Sequence, residues 1–163
     1  MKFQRILIGI DESKIADNAA QYGFELAHQF KAAVALVHIV EPITTAPVND
    51  MSMMGSLVPS LGNNIENIEI INSQQDFSQR LLDETVTRLG TGLVVTQYNE
   101  FGSTKETIVS CAAQFNADLI VIGTHSRTGF DRFLMGSVAE YVIRHSPVPV
   151  LVVPMKAEDI NHP

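Results

Sequence analysis

Five short apolar runs alternate with stretches of helical spacing along this chain, and that alternation leaves few folds open. The runs cover residues 3–10, 33–40, 93–98, 118–123 and 148–153. Each is short and rich in branched residues, the mark of a strand buried on both faces. Between the first two, Ala16, Ala19, Ala20, Gly23, Phe24, Ala27 and Phe30 fall on one helical face. A face of such small residues lies close on a sheet. Helical spacing returns over 68–89 through Phe77, Leu81, Leu82, Thr85, Val86 and Leu89, and Gly90 and Gly92 stop it. A third helix follows Gly102-Ser103, with Ser103 and Glu106 spaced as a capping box and Ile108, Cys111, Ala112 and Phe115 as its buried stripe. A fourth opens on Gly136-Ser137 and ends near His145.

The order βαβαβαβαβ predicts an α/β fold. Its form is a single doubly wound, five-stranded parallel sheet with right-handed crossovers and helices on both faces. Such sheets bind ligands beyond the carboxyl ends of their strands. Three strand ends are therefore candidates: Gly9-Ile10-Asp11, His38-Ile39-Val40 and Ile122-Gly123-Thr124. The 163 residues suit one domain with a proper core, here 1–155, followed by a tail at 156–163. A flexible insertion is expected at about 42–67, where Pro42, Pro47, Pro59, Gly55 and Gly62 surround Met51, Met53 and Met54. A connection of that length is a flap over a ligand or a disordered segment, and both readings stay open.

Composition removes several function classes. No apolar run reaches the roughly 20 residues that span a bilayer, so no membrane role is expected. The chain opens directly on a strand pattern with no secretory h-region, which predicts a cytoplasmic protein. One cysteine, Cys111, excludes an internal disulfide and a multi-cysteine metal site, and its place in a buried stripe makes it core. The net charge of −7 argues against a nucleic-acid partner held on a basic face. There is neither G-x-G-x-x-G after the first run nor a Walker G-x-x-x-x-G-K, so dinucleotide and P-loop sites are not expected.

An anion fits the stretch 119–154 better. Gly123, Gly129 and Gly136 let backbone approach a bound group. Gly136-Ser137 opens a helix whose N–H groups and dipole favour phosphate. Arg127 and Arg132 add positive charge against Asp131.

At this point the residues resemble the universal stress protein family. Its nucleotide-binding members carry G-x2-G-x9-G-S/T, and Gly123, position 126 and Gly136-Ser137 keep that spacing. Ser126 stands where the pattern has Gly. If that position needs a positive φ, Ser costs about 1 kcal/mol there; if it needs only a small side chain, the hydroxyl is a further donor. The run G-S-V-A-E-Y-V-I-R-H-S-P-V-P-V-L-V-V and the opening I-L-I-G-I-D-E-S also look like the family.

The resemblance implies sheet order 3-2-1-4-5 (a fold of the adenine-nucleotide alpha-hydrolase type), ATP as ligand and a dimer. By position, Gly9, Ile10 and Asp11 would meet the nucleotide at the first strand end, Asp11 on the ribose or adenine side. Ile39 would touch adenine, and Ile122 and Gly123 would flank the nucleotide. Ser126, Gly136, Ser137, Val138 and Ala139 would line the phosphates, with Arg127 beside them or simply on the surface, and His125 equally divided. Magnesium carried by the ATP is the only metal role left.

Plainer roles stand beside these. Asp11 could cap the following helix, and Ser137 with Glu140 also fits a capping box. His38, inside a strand, reads as a hydrogen-bonded core residue. No nucleophile–base pair is legible, so hydrolysis of ATP would be slow. Pro147 and Pro149 confine the last strand to an edge. An apolar edge invites a second chain, which predicts a homodimer through residues 148–153. The competing functions are an ATP-binding stress-response or regulatory protein, a nucleotide-free dimeric interaction module, and an enzyme acting on an adenylated substrate.

Overall fold

The computed structural model describes residues 2–41, 62–124 and 135–154, and for 62–68 the backbone alone. Five strands run β1 (Arg5–Gly9), β2 (Ala33–Val40), β3 (Val95–Phe101), β4 (Leu119–Gly123) and β5 (Val150–Val153). Four helices connect them: α1 (Lys14–Phe30), α2 (Gly62–Leu89), α3 (Thr104–Phe115) and α4 (Ser137–His145). All pairings are parallel and the order is β3-β2-β1-β4-β5. Both the alternation and the expected order 3-2-1-4-5 are met.

The strands divide their side chains between two cores with the period of two that a pleated strand imposes. Ile6, Ile8, Val34, Leu36, Leu119 and Val121 pack with Ala19, Ala20, Phe24 and Ala27 of α1 and Leu82 of α2. Leu7, Ala35, Val37, Ile120 and Ile122 pack on the opposite face with Ile108, Cys111 and Phe115 of α3 and Ala139 and Val142 of α4. This is the double winding in physical terms. The small-residue face of α1 is needed because a Cβ on Gly23 would stand 2.7 Å from Ile8 Cδ1.

Some boundaries differ from the sequence reading. α2 begins at Gly62, so 62–67 are helical and not part of a loop, while 42–61 lie outside the described residues. The Pro/Met-rich composition ends at Pro59, and no proline follows until Pro147 to stop a helix. The phase of α2 also differs: Phe77 is 47% exposed, whereas Ser78 and Leu82 are fully buried. Neither capping box forms. Ser103 is the N-cap of α3 without a side-chain bond, and the Thr104 N–H donates instead to Glu41 Oε1 at 3.2 Å. For α4 the N-cap is Gly136, which places Ser137 inside the helix, one residue too late to cap it. β5 is an edge strand, as its prolines require, with Val150, Leu151 and Val152 half-buried.

Candidate functional site

The carboxyl ends of β1, β2 and β4 lie side by side at the centre of the sheet. Here β1 sends α1 to one face and β4 leads to α4 on the other. That is the switch point where a doubly wound sheet opens a crevice.

On the α3–α4 side, Ile122 and Ala139 are buried in one apolar cluster, and Ile39 and Val138 pack against it. Four of the predicted contacts therefore meet. Gly9 joins them from β1, where an added Cβ would be 3.1 Å from Ile122 Cγ2. The start of α4 completes this side. Its first intrahelical bond is Glu140 N–H to Gly136 O at 3.0 Å. The N–H groups of Gly136, Ser137, Val138 and Ala139 thus come before the ladder begins. No side chain caps them among the described residues. Gly136 has φ −57° and ψ 152°, which suits any residue, so its value here is the missing side chain.

Ile10 and Asp11 face the other way. Ile10 belongs to the α1–α2 core. Asp11 Oδ1 accepts the Ser13 N–H at 2.8 Å, and Ser13 Oγ in turn accepts the Ala16 N–H at 3.1 Å. The α1 cap is therefore Ser13, and Asp11 orders the turn before it. Gly123 also has a packing reason: a Cβ there would stand 2.7 Å from Ile15 Cγ2 and 3.1 Å from Ile15 O. Its missing side chain makes room for α1. Its neighbour Thr124 donates to Val153 O at 3.0 Å, continuing the ladder to β5. Ser126 and Arg127, like His125, Gly129, Asp131 and Arg132, lie outside the described residues.

Asp11 borders an open cleft of about 270 Å³ between α1 and α2. Ile10, Ala20 and Leu81 are its apolar lining, and Glu12, Lys14 and Glu84 bring charge. Arg88 pairs with Asp17 to tie the two helices together beside it.

Two residues read as core are core. Cys111 is buried, and burial, reinforced by the charge of Glu100, pushes its thiol up to about 11. It is not a nucleophile at neutral pH. His38 is 6% exposed and hydrogen-bonds Ser78 through Nδ1 at 2.7 Å. Burial holds its imidazole below the ordinary value of 6.5, against the opposing pull of Glu12 and Asp11. Sequence reasoning missed Ser78 and Asn99, which complete the network, and Glu41, which caps α3. The available signal for Ser78 was its position one turn before Leu82, on the stripe that must face the sheet.

Comparison with known proteins agrees with this fold. The model of the universal stress protein family matches residues 2–154. A universal stress protein relative from Staphylococcus haemolyticus is 30% identical over 157 residues, spanning 94% of this chain and 86% of its own. A relative from Staphylococcus aureus strain USA300 is 30% identical over 155 residues, spanning 93% and 84%. Among solved structures, a universal stress protein from Lactobacillus plantarum superposes with a TM-score of 0.74 at 22% identity, covering 94% of this chain and 99% of that one. A universal stress protein solved in complex with cAMP gives 0.63 at 20% identity, covering 94% and 98%. The match in sequence over nearly the whole chain, on a sheet of the expected order, shows that the protein belongs to the universal stress protein family.

Proposed function

We propose that this chain binds an adenine nucleotide, ATP, at the carboxyl ends of β1, β2 and β4, and acts in stress response or regulation in the cytoplasm. The observation that carries the reading is the start of α4. Four backbone N–H groups without a side-chain cap among the described residues sit beside an apolar cluster that includes Ile122 and Ala139. Phosphate suits the first feature, since free N–H groups and the helix dipole both favour an anion. A purine suits the second, with Ile39 and Val138 at its border. Gly9 and Ile10 would give the backbone approach, Asp11 would have to reach the ribose or adenine side from the α1–α2 face, and Ser126 and Arg127 would serve the phosphate loop that follows Gly123. A magnesium ion would come with the triphosphate and partly neutralise it. The structural neighbour in complex with cAMP supports an adenine ligand for this shape of protein.

The test is direct. Nucleotides released from the purified protein are identified by mass spectrometry, and ATP retention is measured by equilibrium dialysis. ATP in the released fraction is the expected result. No retention at millimolar ATP overturns the reading. It would favour a nucleotide-free interaction module, the alternative that Ser126 in place of the motif glycine supports.

The edge strand carries a second part of the proposal, a homodimer formed through residues 148–153. Among the described residues β5 has β4 on one side only, and Val150, Leu151 and Val152 stay half-buried. Pairing across a two-fold axis would cover that edge. Light scattering is expected to give twice the chain's 17.9 kDa. A monomeric mass at micromolar concentration would contradict it.

A further inference from the structure

Asn18, in the second turn of α1, carries the one buried side-chain polar atom without a hydrogen-bond partner among the described residues. The residue is 5% exposed. Its Nδ2 donates to Pro154 O at 3.0 Å, which fixes the amide, because a flipped amide would set two carbonyl oxygens against each other. Oδ1 is therefore the remaining arm, and it is an acceptor. A buried acceptor left unpaired loses its hydration and gains nothing for it, so a native interior supplies a donor. One turn earlier Ile15 rests on Gly123, and the Thr124 N–H donates to Val153 O nearby. The unpaired arm thus stands at the carboxyl edge of β4 and β5, on the α1 side.

Pro154 explains the missing partner. In extended backbone the N–H and C=O of one residue point the same way. Beside the C=O that Asn18 holds, residue 154 would present its own N–H, and a proline has none. The same alternation puts the next N–H on that side at Lys156, two residues on and outside the described residues. Tyr22 lies one turn beyond Asn18 on the same side of α1 and is 47% exposed. It offers an aromatic surface to the chain that follows Pro154. Ile160 is within reach of it, since four extended residues from Lys156 span up to about 14 Å and four helical residues rise about 6 Å.

We propose that Asn18 and Tyr22 form a docking surface on α1 for the chain's own segment 155–163, with Asn18 Oδ1 accepting the Lys156 N–H. The two arms of one amide then grip the segment at Pro154 O and at Lys156 N. Led over α1, the segment leaves the outer edge of β5 to a second chain. The docking itself rests on neither the nucleotide site nor the dimer.

Two measurements on the full chain test this. In amide hydrogen exchange followed by NMR, the Lys156 N–H of the natural protein is expected to exchange at least about tenfold more slowly than in an open chain. An open-chain rate overturns the proposal, whether water or another segment then meets Oδ1. Trypsin supplies the second measurement, because its cleavage after Lys156 reads the undocked fraction when docking is fast. Asn18→Leu removes both arms of the amide at a similar shape, and cleavage there is expected to speed up about tenfold. An unchanged rate overturns the proposal. Where that variant does not fold, the exchange rate in the natural protein still decides.

Discussion

At the start of α1 the Ser13 hydroxyl takes up the Ala16 N–H, whereas α4 starts at Gly136, which has no side chain to offer. Both helices begin near the carboxyl edge of the sheet, and both rest a buried face on it. The first start is closed by its own residues, with Asp11 bracing the turn. The second leaves its N–H groups without a side-chain acceptor among the described residues. An unbonded N–H next to solvent loses little, because water replaces the acceptor. The same group next to an anion gains a charge-assisted bond. The contrast therefore separates a helix start built for stability from one suited to a ligand.

The largest effect should come from closing α4. In Gly136→Asp the backbone angles need not change, and the new carboxylate both caps the helix and repels phosphate. ATP affinity should fall at least about tenfold, roughly 1.4 kcal/mol, by isothermal calorimetry. The apo protein should melt no lower. An unchanged affinity would break the comparison, because an anion could not then be resting on those N–H groups.

Opening α1 is the converse. Ser13→Ala should cost about 1 kcal/mol in denaturant unfolding, the usual worth of such a cap. ATP affinity should stay within experimental error. A large loss of binding instead would mean that the turn at Asp11 depends on the Ser13 side chain, and the two starts would no longer be distinct.

Ser137→Ala sharpens the same contrast on a smaller scale. Ser137 is exposed and caps nothing among the described residues, so the apo melting point should move by no more than about 0.5 kcal/mol equivalent. ATP binding should weaken by more than that. The opposite ranking would give the hydroxyl a purely structural role.

Cys111 supplies the smallest effect, as a control on the body of the fold away from both helix starts. Its thiol should resist alkylation at pH 8 in the native protein and react on unfolding. Because the folded state holds that proton up to about 11, the unfolded chain releases it first as pH rises. The contribution is therefore fully present below the ordinary value of 9.0 and is lost toward 11.

Much of the fold was legible because buried parallel strands and the helices over them announce themselves by composition. The runs at 33–40 and 118–123 match β2 and β4 within a residue, since both lie inside the sheet and are apolar on two faces. β3 was harder. It runs to Phe101 through Gln97, Asn99 and Glu100, polar residues that an edge strand tolerates. In α2, Phe77 looked like core and Ser78 did not. The assignment reversed because His38 and Asn99, distant in sequence, both need the Ser78 hydroxyl. The same blindness affected the caps: S-x-x-E spacing is local, but Glu41 reaches Thr104 from the end of β2 and pre-empts it.

The candidate site divides along the same line. Gly136 and Ser137 could be read as a helix opening from their order alone, because which N–H groups lack partners follows from where a helix starts. That Ile39, Ile122, Val138 and Ala139 share one cluster, while Asp11 turns to the α1–α2 side, could not. Local order in the chain records periodicity, turn residues and breakers, which act over a few positions. Facing, competition for hydrogen-bond partners and the reason for a missing Cβ, as at Gly123 against Ile15, arise only when segments far apart in the chain are packed against each other.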